Sequence, residues 1–331
     1  MIIKSVQLTN FRNHKSYFLD CKKSTSLIIG DNGSGKTSVL ESIYEVLRGK
    51  SFRAVDKEIV LRGGDFYRVV LEYMNGEKVT VTYDGNKKTF LVNDKKNYRL
   101  PKHKKYPVVL FLPSDLHLID ASPTRKRDYF DRILVDFDEL YGSFLSKYNK
   151  ALRQRNELLK KEELKNEELF AWNIMLARYG LEIRKRRMKF IDDINLKLTE
   201  TYRSIAENND QVRLKYELYG GEVDESEYLK RLELETDRDK ILKHTSFGVH
   251  RDNYEFYFNK VLAGGSASRG EMRSIILAIK FIEAAIIEEK TNIKPVVLLD
   301  DVFSELDEKR QKCLVKNFKN NQVIITSVEE V

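Results

Sequence analysis

Residues 30–37 read GDNGSGKT, and this octapeptide constrains the fold more than any other stretch of the chain. Gly30, Gly35, Lys36 and Thr37 meet the G-x-x-x-x-G-K-[ST] spacing of a phosphate-binding loop. Such a loop needs a buried strand before it and a helix after it. Ser26 to Ile29 is a short apolar run entering the glycine turn, and Val39, Leu40, Ile43 and Leu47 then recur at helical spacing. Gly33 and Gly35 allow the backbone to pass close to phosphate oxygens. Successive N–H groups from Asp31, Asn32 and Ser34 through to Ser38 then point at the anion, aided by the positive end of the helix. Lys36 is expected beside the β- and γ-phosphates, and the Thr37 hydroxyl on Mg²⁺. ATP with Mg²⁺ is the expected ligand.

A second segment supplies what the loop lacks. VVLLDD at 296–301 is an apolar strand ending in two acids, a pattern that delivers carboxylates to the edge of a buried sheet. Asp300 is the expected Mg²⁺ ligand, and Asp301 is placed to orient or activate the attacking water. Lys36, Asp300 and Asp301 form the expected catalytic set.

The flanking patterns indicate the architecture. Ile2 to Leu8 alternates like an edge strand. Strand-like segments from Arg68 to Leu91 are broken by Asn75-Gly76 and Asp84-Gly85, hairpin signals because these residues tolerate positive φ. Val108 to Leu112 reads as a buried strand stopped by Pro113. After Ser122 the composition turns to Leu, Lys, Glu and Arg. Pro123 opens the first of several helices extending to about residue 208, with no apolar heptad long enough for an extended coiled coil. The stretch before Gly220-Gly221 is strand-like and the one after it helical. Residues 271–289 form a helical pattern, 296–299 a continuous apolar strand, 308–317 a short helix and 323–325 a last buried strand. Apolar strands alternating with helices predict an α/β core covered on both faces.

Several of these segments together resemble the RecF family of bacterial recombination-mediator proteins. They are LTNFRNH at 8–14, GDNGSGKTSVLESIYEVLRGKSFR at 30–53 and LPSDLHLIDASPTRKRDYFD at 112–131. VHRD at 249–252, ASRGEMRSIILAIKF at 267–281 and LLDDVFSELDEKR at 298–310 complete the series in family order. The resemblance implies an ABC/SMC-type P-loop ATPase head with an inserted, mainly helical lobe. Residues 1–110 and 249–331 would make the ATPase lobe, and 111–248 the insertion. In that arrangement two heads enclose ATP, each completing the other's site with a signature segment. Ser268-Arg269-Gly270-Glu271 stands at that position, giving Ser268 and Gly270 a role at the nucleotide and Ser268 one in catalysis. Ser268, Arg269, Gly270, Ser304 and Asp307 would meet the second copy, Thr326 would sense phosphate, and Asp115 would join the metal site. In isolation Ser268 also fits an ordinary helix cap. Asp301 stands where most cassette ATPases carry glutamate, which implies slow turnover. Too few residues separate Lys36 from Ala267 for the long arms of SMC proteins.

The 59 Lys and Arg exceed the 51 Asp and Glu, leaving a formal charge of +8. This fits either a soluble basic surface or attraction to a polyanion. Lys50, Arg53, Arg125 and Arg127 lie within the family-like segments, and Arg184 and Arg186 lie in the dense run 184–189. These are the candidate DNA contacts, with backbone recognition of duplex or gapped DNA as the expected mode. The resemblance further implies an ATP-dependent homodimer that works with RecR, and with RecO in the same pathway, to load RecA. A P-loop phosphotransferase and a chromosome-structural ATPase are the alternatives. Two widely spaced cysteines, Cys21 and Cys313, offer neither a disulfide framework nor a zinc motif. No secretory pattern opens the sequence and no apolar run is long enough to cross a bilayer. A cytoplasmic protein without membrane insertion is expected.

Overall fold

The computed structural model describes residues 2–328 apart from Lys22 and Asn166. The chain forms two compact units, one from residues 1–116 and 283–331, the other from residues 117–282. The second unit runs past residue 248 because a strand beyond that point pairs with one inside the middle segment.

The first unit begins with β1 (Ile3–Phe11), β2 (His14–Asp20), β3 (Thr25–Ile29), α1 (Lys36–Arg48) and the short α2 (Asp56–Ile59). It continues with β4 (Tyr67–Tyr73), β5 (Lys78–Tyr83), β6 (Lys88–Val92), β7 (Lys95–Asn97) and β8 (Val108–Phe111). Two sheets result. One is antiparallel in the order β2-β1-β4-β5-β6-β7, its β4–β5 and β5–β6 hairpins turning at Gly76 and Gly85, both at positive φ. Strand β1 is therefore interior, flanked by β2 and β4. The sequence reading made it an edge because β2, with its mixed exposure, leaves little apolar signal.

The second sheet is parallel and closes late in the chain. After the second unit come β12 (Val296–Asp300), α10 (Glu308–Asn317) and β13 (Val323–Ser327), giving the order β3-β13-β12-β8. Strands β8, β12 and β13 are buried on both faces, as parallel strands covered by other elements must be, while the edge strand β3 keeps Thr25 and Ile29 exposed. Helix α1 packs against strands of both sheets. Residues 38–47 of the helix are buried on every side, in one core with β1, β4, β5, β12 and β13. Each fully buried Leu or Ile there contributes about 1.5–3 kcal/mol.

The second unit contains α3 (Pro123–Phe137), α4 (Glu139–Leu158), α5 (Glu167–Ala206), β9 (Val212–Glu217), α6 (Glu225–Leu234) and α7 (Thr236–Leu242). It ends with β10 (Asn253–Phe258), β11 (Val261–Leu262), α8 (Ala263–Ser266) and the start of α9 (Arg269–Thr291). Ser122 caps α3 by accepting from the Arg125 N–H, with Pro123 in the first turn, where its missing N–H costs nothing. Helix α4 packs along the 40-residue α5. A three-stranded antiparallel sheet in the order β11-β10-β9 lies against α5 and α3. The outer edge of β9 is finished by side chains of α5. Asn195 exchanges two hydrogen bonds with the Leu214 backbone, at 2.7 and 2.9 Å, and Thr199 does the same for Val212.

Buried arginines tie this unit together. Arg155 is fully buried and donates to Asn173, Asp239, Thr245 and the Leu232 carbonyl. Arg184 forks onto Asp252 at 2.7 and 3.0 Å, and Arg187 holds Asp131 and the Val249 carbonyl. Breaking such a pair from one side typically costs about 3–5 kcal/mol, because the other charge stays buried.

Candidate nucleotide site

The carboxyl ends of β3, β13 and β12 are in register, pairing Ser327 with Ile29 and Asp300 with Thr326. The glycine loop therefore leaves the sheet beside the two acids. Gly33 and Gly35 have φ of 84° and 98°, which a side-chain-bearing residue adopts only with strain. A Cβ on Gly35 would also collide with the Asn13 and His14 side chains. Those two residues come from the β1–β2 turn and brace the loop, Asn13 donating to the Gly33 carbonyl and His14 Nε2 bonding the Gly35 carbonyl at 3.1 Å. The α1 N-terminus carries no side-chain cap, so its first N–H groups remain available to an anion. Lys36 is 9% exposed, and its ammonium rests on the Gly30 and Asp31 carbonyls inside the loop.

Thr37 Oγ1 donates to Asp300 Oδ1 at 2.8 Å. Thr326 Oγ1 donates to the same oxygen at 3.0 Å and accepts from the Asp301 N–H at 2.9 Å. Burial pushes the Asp300 carboxyl above its ordinary pKa, with the Thr37 and Thr326 hydrogen bonds opposing the shift. Asp301 adopts φ 50°, and its buried Oδ1 has no hydrogen-bond partner among the described residues. These features suit Mg²⁺. Thr37 and Asp300 supply hard oxygen donors side by side, and nucleotide sites of this metal use one or two protein oxygens plus phosphates and water. Among the described residues no group of three His, Cys, Asp or Glu forms an all-protein cage.

Asp301, Lys36, Thr37, Gly33 and Gly35 open onto one cleft of about 710 Å³, within the range of small-molecule sites. Arg12 and Arg53 form part of its wall. Both are anchored on Glu41, which is fully buried in α1. Arg12 grips it at 2.8 and 2.9 Å, Arg53 at 2.9 Å, and the Ser51 hydroxyl at 2.6 Å. Burial opposes ionisation of Glu41, yet the hydrogen bonds from Arg12, Arg53 and Ser51 outweigh it and hold the carboxyl below its usual pKa. This device was missed in the sequence. Its one signal is an acid, five residues after Lys36, on a helix otherwise reading as core.

Other expected residues fall elsewhere. Thr326 is fully buried, so it acts on the site by holding Asp300 and Asp301. Asp115, 3% exposed, accepts the Leu112 N–H at 3.2 Å and shapes the loop after β8. Ser304 donates to the Asp301 carbonyl, and Asp307 caps α10. In the second unit, Ser268 and Glu271 form a reciprocal capping box. The Ser268 N–H donates to Glu271 at 2.6 Å and the Glu271 N–H to the Ser268 hydroxyl at 3.3 Å. Ser268 and Arg269 are exposed beside Gly270.

The basic candidates divide by burial. Arg184 is removed from the DNA-contact set: it is 4% exposed and committed to Asp252. Arg186 pairs with Asp138 at 2.5 Å and lies over the Phe144 ring. Arg127 donates to the Asp252 carbonyl and Thr124. Lys50 and Arg125 are exposed.

Comparison with known proteins agrees with this geometry. Residues 1–326 match the AAA ATPase domain family. The chain is 35% identical to the DNA replication and repair protein RecF of Clostridium perfringens over 98% of its own length and 92% of the relative's. It is 33% identical to the RecF of Moorella thermoacetica, over 99% and 90% of the two chains. A solved structure of the recombination mediator protein RecF with ATP, in the RecFOR pathway, superposes with a TM-score of 0.87 at 30% identity. That match covers 99% of this chain and 92% of the other. An Smc head bound to the C-winged helix domain of ScpA shares the fold at a TM-score of 0.54 and 16% identity, over 100% and 90% of the two chains.

Proposed function

The chain belongs to the RecF family of ATPase-domain proteins, and from that premise we propose that ATP binding in the first unit controls pairing of two copies on duplex or gapped DNA. The observation carrying this reading is the Thr37–Asp300 hydrogen bond in a cleft where Asp301 keeps an unpartnered oxygen. The loop amides from Asp31 to Ser38 and the Lys36 ammonium would hold the phosphates. Thr37 and Asp300 would hold Mg²⁺, which when bound neutralises phosphate charge and favours the ionised form of Asp300. The Asp301 carboxylate would orient a water toward the γ-phosphate. Its reach is one methylene shorter than that of glutamate, in keeping with slow turnover suited to a switch. Arg12 and Arg53, fixed by Glu41, add positive charge along the same wall.

Ser268, Arg269 and Gly270 would complete the partner copy's site. The Ser268 hydroxyl accepts from Glu271, and its own proton remains available for a phosphate oxygen. Ser304 and Asp307 belong to the same proposed contact. Lys50, Arg125 and Arg127 would meet DNA phosphates, while Arg53 stays at the nucleotide cleft. The protein would then act with RecR and RecO, a reading supported by the RecFOR pathway of the superposed ATP-bound structure, and loading of RecA is what the family resemblance implies.

Native mass measured with ATP and Mg²⁺, with and without a duplex oligonucleotide, tests the switch. Wild type should double in mass only with nucleotide. Lys36→Ala should lose ATP affinity at least tenfold, and Ser268→Arg should bind ATP yet stay single. A nucleotide-independent mass, or an undiminished Ser268→Arg dimer, would refute the proposal.

A further inference from the structure

The first unit has a second cleft, of about 620 Å³, at the opposite ends of the parallel strands. Ser24, Pro295 and Gln322, which precede β3, β12 and β13, lie along it. Ligands of α/β sheets bind at the carboxyl ends, so the nucleotide chemistry does not account for this one. Its floor is apolar and aromatic, built from Tyr73, Tyr106, Ile293 and Pro295. Tyr73 is 3% exposed, and its hydroxyl, on the cleft lining, has no hydrogen-bond partner among the described residues. The rim is cationic. His103, Lys105, Lys294 and Lys319 are exposed around it, while the carboxylate present, Glu77, is bound to Lys104.

We propose that this cleft docks an acidic peptide segment of a partner protein, seating one apolar side chain on the Tyr73–Ile293 floor and its flanking carboxylates on the rim lysines. Three arguments select this ligand. Duplex DNA is convex and edged with phosphate, so it offers nothing apolar to fill a concave floor. A compact phosphate is disfavoured because α9 and α10 both end beside the cleft, at Thr291 and Asn317. Helix C-termini carry partial negative charge, and no glycine loop supplies converging N–H groups to offset it. A peptide side chain with a polar partner for Tyr73 suits the volume, and its carboxylates, each singly charged, are opposed by the helix ends less than a phosphate dianion while they pair with the rim lysines. ATP is not needed for this contact.

The test uses the full-length protein without nucleotide and a fluorescein-labelled decapeptide, a central Leu-Phe pair flanked by aspartates, read by fluorescence anisotropy. Wild type should bind with an affinity that falls between 50 and 300 mM salt, an expectation on the order set by screening. The combined Lys105→Glu, Lys294→Glu and Lys319→Glu variant should bind at least tenfold more weakly. Ile293→Asp, which leaves the rim intact, should do the same. Both variants should keep the wild-type melting temperature and ATP affinity. Absence of peptide binding in wild type, or unchanged binding in either variant, overturns the proposal. So does a 20-base-pair duplex whose binding, in place of the peptide's, is what the charge reversal removes. The nucleotide switch can fail its own test without affecting this one.

Discussion

Asp300 and Asp301 are chemical neighbours with opposite environments. Asp300 is buried and receives two hydroxyl hydrogen bonds on one oxygen, whereas Asp301 has its N–H tied to Thr326 and a carboxylate oxygen with none among the described residues. A single threonine thus sets the posture of both acids. His250, in the second unit, shows the same control of a titrating group. Its Nε2 faces the Thr245 carbonyl at 3.0 Å, which can only accept, so Nε2 carries the proton and Nδ1 accepts from the Tyr148 hydroxyl at 2.8 Å. Burial lowers its pKa to about 4, against the Thr245 hydrogen bond, with Arg251 and Arg127 adding repulsion. The unfolded chain takes up this proton near pH 6.5 and the folded chain only near 4. The neutral imidazole therefore stabilises the fold above pH 6.5, and that contribution is lost as pH falls through the interval, up to about 3 kcal/mol. Trp172, the single tryptophan, lies on α5 in the same unit. Urea midpoints followed by its fluorescence should drop between pH 6.5 and 4.5 in wild type and flatten in His250→Gln.

Among the elements, α5 and β9 show how an edge strand is kept from pairing with another chain. Asn195 and Thr199, one turn apart, supply to Val212 and Leu214 the hydrogen bonds that a further strand would otherwise make. Asn195→Ala with Thr199→Val should lower stability by about 1–3 kcal/mol per stranded backbone group. The Trp172 urea midpoint would report that loss, and light scattering the uncovered edge. The strand–loop–helix around Lys36 was legible because its signals are local: an apolar run, glycines at required φ, then helical periodicity. Helix α10 and the Pro123 start were legible for the same reason, each set by an adjacent cap. The Ser268 capping box was legible as one of two meanings of a serine before a helix. Strand β2 was not, since it is largely exposed, and the interior place of β1 went with it. The fate of Arg184 and Arg187 was hidden because their acidic partners, Asp252 and Asp131, lie 68 and 56 residues away, and a charge run states sign without direction. Helix α1 shows the mixed case: its apolar spacing was plain, but its burial on all sides followed from two sheets formed by distant segments.

At the scale of the whole molecule, the second unit is continuous in sequence and interrupts the first. The parallel sheet needs β12 and β13, which lie beyond that interruption, to join β3 to β8. Removal of β13 should therefore abolish the nucleotide site and spare the second unit. A chain ending at residue 320 is expected to lose ATP binding in equilibrium dialysis while keeping the native Trp172 emission. Retained ATP affinity would show that the loop forms without its sheet. The strand order also imposes a schedule on manufacture. As the chain leaves the ribosome, β3 and β8 emerge early, but they are the two outer strands and do not touch. The centre of the sheet follows only after roughly 185 further residues, a delay of roughly 10–40 s at ordinary elongation speeds. During that wait α1 can already pack on β1, β4 and β5, but the apolar surfaces of α1 and β3 that meet β12 and β13 have no final partner. The GDNGSGKT loop gains its complete sheet only once β12 and β13 have emerged, so a nascent copy lacks the nucleotide site until residue 327 has left the ribosome.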